Sequence, residues 1–346
     1  MFSKDAAVYS WLLLVGDARA DSDCDHRVKT KTLPSDAQRL YRDIYLITKF
    51  QQGIYPPEIR THVEAVYDGQ YHPNSVYREG DEGSGSGVDG GNGGNDSGEL
   101  FFDYLPVAAL FTDAPEGVST QSCIAHAEYY RVHEPLLELA LASRRESVVC
   151  ENATSARILP CFLPSLGTAG AKMVDFVLAP NLASDPALDS AIQTRLLQRA
   201  KQMKPPGLAS AFLCVNQTDY HPLTRFPAAI TVETKVAGGN LEEGRMQLGI
   251  WTAAWHKRME TLGITGRTSP LPLPTLPLIL TYEHEWSLYF AVDHVKRIDI
   301  YGPMSIGKTD NIPHIYQLLA VLRLLVAWVD TEFRSWVINA FHPPPR

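Results

Sequence analysis

AAITVETKV (228–236) reads as a buried β-strand, apolar and β-branched throughout except for Glu233 and Lys235. Side chains alternate faces along a strand, so these two charges project together while Ile230, Val232, Thr234 and Val236 project to the other side. Upstream, VDFVLAP (174–180) is a second short apolar stretch that carries Asp175 near its start. Downstream, 241–262 reads as an amphipathic helix with Leu248, Trp251, Trp255, Met259 and Leu262 on one stripe and Gln247 beside it. If the two strands lie side by side, Asp175 brings a second carboxylate to the edge where Glu233 and Lys235 emerge.

Two carboxylates are the oxygen ligands a hard divalent cation such as Mg2+ or Mn2+ prefers, and the backbone carbonyl of Thr234 offers a third. Phosphodiester cleavage needs an activated water, neutralisation of the charge developing on phosphorus and help for the leaving oxygen, which a cation and a lysine together supply. Gln247 would orient the water or a phosphate oxygen. An E-x-K triplet is by itself common, and a solvated ion pair on an edge strand accounts for it as well. The apolar surroundings favour the metal site, because acids placed there are costly to bury without a cation or partner.

The chain resembles the fungal PD-(D/E)XK nuclease-like proteins of the restriction-endonuclease-like superfamily. The likeness runs through AQRLYRDIYLITKFQQGIYPPEIRTHVEAV (37–66), EYYRVHEPLLELAL (128–141), MVDFVLAP (173–180), VNQTDYHPLTRFPAAITVETK (215–235), MQLGIWTAAW (246–255), LPLILTYEHEWSLYFAVD (276–293) and IYGPMSIGKTDNIPHIYQLLAVLRLLVAWV (300–329). The resemblance implies that Asp175, Glu233 and Lys235 form the catalytic set, with Gln247 as the helix glutamine that often follows it. It also implies a glutamate from the helix before the first core strand; Glu128 is the nearest candidate and Glu134 the second. The 58 positions between Asp175 and Glu233 hold an insert with a helix near 186–203 and a strand near 208–216. A relative that keeps the fold as a binding or accessory module, or acts on a small metabolite in fungal metabolism, is the competing reading.

The 346 residues, 45% of them hydrophobic, can bury a large core. The expected fold is mixed α/β: a restriction-endonuclease-like core with a central mixed sheet flanked by helices, at 100–346. A helical region precedes it at 1–79, and a disordered loop joins them at 80–99 (GDEGSGSGVDGGNGGNDSGE), which has nothing apolar to offset its ordering entropy. Within the first region, 37–66 reads as two helices around a Gly53–Pro57 break. Further helices are expected at 123–143 and 313–340, and strands near 156–163, 172–179, 228–236, 277–282, 286–292 and 296–301.

Charge falls unevenly: residues 1–99 carry net −6 and 100–346 net −2. No basic footprint is visible, which argues against strong indiscriminate binding to nucleic acid, although Lys172, Arg225, Lys235, Arg245, Lys257 and Arg258 are candidates to line a local cleft. Five widely separated cysteines lack zinc-site spacing and read as reduced thiols. VYSWLLLVG (8–16), followed by Ala18-Arg19-Ala20, mimics a signal peptide, but Asp5 and Asp17 spoil it, and an ordinary N-terminal helix in an intracellular protein is expected. No stretch reaches the length of a membrane span.

Several patterns are decoys. Gly302-Pro-Met-Ser-Ile-Gly307-Lys308-Thr309 satisfies the phosphate-loop spacing, yet Pro313, with Asp310 and Asn311 as caps, marks a helix start too late for that loop, and a turn is expected. Asp21, Asp23 and Asp25 begin like a calcium loop but lack its glycine. His133 and His284, each followed by glutamate, lack a second histidine for zinc, and His256 reads as an exposed helix position.

Overall fold

The fold is described from a computed structural model, for residues 8–13, 33–57, 60, 74–77, 132–164, 173–202, 213–264, 272–295 and 297–341. The 80–99 loop, both proposed domain boundaries, Glu128, Lys172 and most of the second N-terminal helix lie outside the described residues.

Seven strands form one mixed sheet: β1 (Val8–Leu13), β2 (Val148–Asn152), β3 (Phe176–Pro180), β4 (Ile230–Lys235), β5 (Leu276–Tyr282), β6 (Glu285–Asp293) and β7 (Arg297–Lys308). Their order across the sheet is β1-β7-β6-β5-β4-β3-β2. The β1/β7 and β4/β5 pairs are parallel and the others antiparallel. Helices α1 (Ser35–Phe50), α2 (Glu134–Leu141), α3 (Pro186–Gln202), α4 (Leu241–Thr261), α5 (Ile312–Trp328) and α6 (Arg334–Phe341) flank it. The α4 helix lies against β4 and β5, whereas α5 packs on β7 with α1 and α2 alongside.

Local chemistry sets the helix starts. Asn240 caps α4, its side chain accepting from the N–H groups of Glu242 (3.0 Å) and Glu243 (3.2 Å). Asn311 caps α5 by accepting from His314 N–H at 3.0 Å, with Pro313 in the first turn. Leu248, Trp251, Trp255, Met259 and Leu262 are all buried, so the tryptophans belong to the core.

The structure corrects several expectations. VYSWLL forms strand β1 rather than a helix. The strand expected at 156–163 is replaced by β2 at 148–152 and a 3-10 turn, Pro160–Phe162; only Ile158 makes a bridge, to Thr218. The described part of 208–216 is not a strand. The phosphate-loop pattern, as far as Lys308, lies inside β7 instead of a turn, with Thr309 just past the strand's end. Its glycines have packing reasons: a Cβ on Gly302 would meet the Tyr289 ring at 2.4 Å, and one on Gly307 would meet Leu318 at 2.7 Å. Finally, by length and composition Ile312–Phe341 is long and apolar enough to cross a membrane, contrary to expectation. Its Leu318, Leu319, Leu322, Leu325 and Val326 are buried against the protein, as in a core helix.

Candidate active site

Asp175 stands at the entry to β3, where its N–H donates to Val232 O (3.0 Å) and its own carbonyl accepts from Ala153 N–H (2.7 Å). The side chain turns to β4: Oδ2 accepts from both the backbone N–H and the hydroxyl of Thr234, each at 2.7 Å. Two residues along β4 on either side of Thr234, Glu233 and Lys235 form an ion pair, Nζ to Oε1, at 2.9 Å. The same ammonium donates to Gln247 Oε1 at 2.7 Å, and Gln247 Nε2 donates to Met173 O at 3.1 Å. A chain of hydrogen bonds thus runs from Glu233 through Lys235 and Gln247 to the backbone two residues before Asp175.

Glu233 is 2% exposed, and its Oε2 has no hydrogen-bond partner among the described residues. Burial is the main reason its carboxyl is pushed up to about 8; the charge of Asp175 adds to the rise, while Lys235 pulls it back. Burial also raises Asp175, against the lowering effect of its two Thr234 hydrogen bonds. The charge of Asp175 is felt at Glu233, a repulsion that a nearby cation would relieve.

Residues 126–334, which span the whole constellation, match the PD-(D/E)XK nuclease superfamily. The chain belongs to that superfamily. No curated protein and no solved structure matches it. Superfamily members generally use divalent metals. Glu233 Oε2 is a buried oxygen in need of a partner, and Asp175 and Glu233 are two hard oxygen donors. Among the described residues no group of three or more His, Cys, Asp or Glu side chains is gathered as a metal cage.

Glu128 lies outside the described residues. Glu134 opens α2, and its charge is felt at Cys150 on β2, whereas the charges acting on Glu233 are those of Asp175, Lys235 and Glu243. Thr234 meets Asp175 through donors, its N–H and hydroxyl. Of the described cations offered for a basic cleft, Lys235 lies at the site and the others have partners of their own. Arg225 pairs with Asp189, Arg245 with Glu242 and the Tyr289 hydroxyl, and Lys257 donates to Leu163 O. Arg258 is fully buried and bound to Cys214 O and Thr261. His256 is buried as well, not exposed. An open cavity of about 470 Å³ beside α3, lined by Gln193, Leu213, Cys214, Thr224 and Arg225, includes none of the site residues.

Two further residues belong to this region. A Cβ on Gly244 would lie 3.3 Å from Lys235 Cγ and Cε and 2.7 Å from Leu280 Cδ1, so the missing side chain lets α4 lie directly on the lysine. Glu243, just before it, acts electrostatically on Glu233. A signal was present for the second: Glu243 and Gln247 are four apart in a helix and share a face.

Proposed function

We propose that this protein is a divalent-metal-dependent nuclease, hydrolysing phosphodiester bonds in nucleic acid inside the cell. The observation that carries the reading is the buried Glu233–Lys235 pair tied through Gln247 to the Asp175 strand, within a matched superfamily domain. Asp175 and Glu233 would hold Mg2+ or Mn2+, with the Thr234 carbonyl as a further oxygen. When bound, the cation supplies neutralisation of the phosphate charge and activation of water.

The residues of the chain do the rest. Lys235 holds Glu233 in place and can turn an N–H toward a phosphate oxygen as negative charge builds there. Gln247 restrains the lysine from behind, so the ammonium needs little reorganisation. The apolar strand neighbours keep the pair poorly hydrated, which strengthens each of these charge interactions.

Supercoiled DNA and single- and double-stranded DNA and RNA oligonucleotides, incubated with Mg2+ or Mn2+, test the reading. The wild type is expected to cleave at least one polymer, Asp175→Asn and Lys235→Ala to be inactive, and EDTA to abolish cleavage. Retained cleavage in either variant, with its fold verified by circular dichroism, overturns it.

One observation favours a second reading. Of the described cations proposed to line a cleft, Arg225 and Arg245 are paired with carboxylates and Arg258 is fully buried, which leaves less free positive charge for a long polyanion. On that account the protein is a binding module or acts on a small phosphorylated compound. Metal binding by calorimetry without salt-sensitive nucleic-acid binding would support this alternative.

A further inference from the structure

Beyond the first turn of α4, the register of the sheet sets four side chains in a row. Lys235 on β4 pairs with Tyr282 on β5, Tyr282 with Glu285 on β6, and Glu285 with Lys308 on β7. Residues paired directly across a ladder project to one face. Here it is the face that α4 covers, because Leu280, two before Tyr282, is what a Cβ on Gly244 would meet at 2.7 Å. The alternate residues Thr281, Trp286 and Gly307 turn to the other side, where the first two are fully buried and Gly307 lies against Leu318 of α5.

The row is open to solvent away from the helix. The side chains of Glu285 and Lys308 are 51% and 44% exposed, and their ion pair is long, 3.9 Å. An exposed pair at that separation holds its ammonium weakly, so a phosphate can take the carboxylate's place. Tyr282 is half-buried, and its side chain makes no hydrogen bond or ring contact among the described residues. Beside the row, Ser287 and the exposed Ser305 face each other across β6 and β7. At the usual strand spacing Lys308 stands roughly 14 Å from Lys235, with the tyrosine next to the lysine of the candidate site.

A cation, an aromatic ring and a second cation in line are what hold a single strand, whose backbone follows positive charge while its bases stack on rings. Stacking matters more here because charge is scarce. The chain carries net −8, and Arg225 and Arg245 are paired with carboxylates, so phosphate contacts alone would hold a duplex weakly. A ring gives affinity that does not depend on charge, and it gives it to unpaired bases, whose faces a duplex would cover.

We infer that the row from Lys235 to Lys308 is a landing for single-stranded nucleic acid: Tyr282 stacks on a base beside the candidate site, and Lys308 binds a phosphate further along the strand. The inference rests on the nuclease reading above and deepens it by naming the substrate class.

The test is fluorescence anisotropy of labelled oligo-dT, oligo-U and a duplex of the same length with the full chain in EDTA, at low and moderate salt. Wild type is expected to bind the single strands more tightly than the duplex. Tyr282→Ala should weaken that binding by about five- to a hundredfold, and Tyr282→Phe, which keeps the ring, should restore it. Lys308→Ala should make the salt dependence shallower by about 0.7 in the slope of log affinity against log salt, the loss of one phosphate contact on a single strand. Lys201→Ala is the control and should change nothing; it is exposed at the end of α3, a helix that Arg195 and Arg199 tie to the far end of α4. Thermal melting confirms that each variant folds. Wild-type affinity and slope in both Tyr282→Ala and Lys308→Ala overturn the landing and leave the nuclease reading standing. Tighter binding to the duplex, or equal weakening in Lys201→Ala, also overturns it. Tyr282-dependent binding of single strands without cleavage in any metal upholds the landing and sinks the nuclease reading. Absence of binding to every nucleic acid overturns the landing, and the nuclease reading with it if cleavage is absent too.

Discussion

Asp175 Oδ2 receives two hydrogens from Thr234, one from the backbone N–H and one from the hydroxyl, each across 2.7 Å. A carboxylate takes the place of a backbone acceptor at the start of β3, so the residue that would bind a cation also helps to set the register of its strand. Thr234→Val keeps the shape and the N–H bond but removes the hydroxyl. The expected result is a loss of about 1–3 kcal/mol in urea unfolding while Asp175 is ionised, shrinking as pH falls and the carboxyl protonates. The hydroxyl bond lowers the Asp175 pKa, so its removal should raise that pKa further, readable by carboxyl NMR titration.

Glu233 predicts an unusual pH dependence. Folding lifts its carboxyl from 4.5 to about 8, so the native state holds a proton that the unfolded chain has already released. The resulting stabilisation is fully present below the lower of these values and is lost as pH rises through the upper one, at on the order of 1.4 kcal/mol per unit of pH. Metal-free wild type should therefore lose a few kcal/mol across this window. Glu233→Gln should flatten most of the slope and be the more stable protein at its alkaline end, measured by chemical denaturation. Mn2+ should restore stability to wild type there and not to Glu233→Gln.

Gly244→Ala tests the close approach of α4 to the site. The added methyl meets the tip of Leu280 at 2.7 Å and the Lys235 stem at 3.3 Å. Alanine favours the helix by roughly 1 kcal/mol, while overpacking costs about 1–3 kcal/mol, so net stability should change little or fall modestly. The larger effect is expected on kcat, because the displaced part is the lysine. An unchanged kcat with a lowered melting temperature would count against that ordering.

Lys308→Ala addresses the phosphate-loop pattern. Lys308 ends β7 as a half-exposed strand residue near Glu285, and Gly307 serves the packing of Leu318. ATP with Mg2+ is expected to leave the melting temperature unchanged in wild type and in this variant. A specific ATP-dependent rise in wild type that disappears in Lys308→Ala would restore the nucleotide-binding interpretation.

The sheet around the site was legible because its strands carry strong local patterns. ITVETK alternates two charges against β-branched neighbours, and FVLAP is buried at every position. The ILPCFLP segment misled for a physical reason: apolar content suggested a strand, but Pro160 and Pro164 deprive it of ladder donors, and only Ile158 pairs. Its strand role falls to VVCEN, which is half-buried at an edge and only weakly patterned. His256 could not be recognised as buried from periodicity, because α4 is covered on more than one side. The partners of the candidate cleft cations were hidden for a related reason. Arg225 finds Asp189 from 36 positions away and Arg258 finds the Cys214 carbonyl from 44, contacts that no local spacing encodes.

Helix α4 carries Gln247 near its beginning and Arg258 near its end. The arginine is fully buried, clasping the Cys214 carbonyl and lying over the Phe162 ring at 5.3 Å. The helix is thus a strut pinned at both extremities, one to the strands of the candidate site and one to a distant loop. Slack introduced at the far anchor should travel down the rod and be felt by Lys235, so a lesion far from the candidate site would loosen it without touching any of its groups.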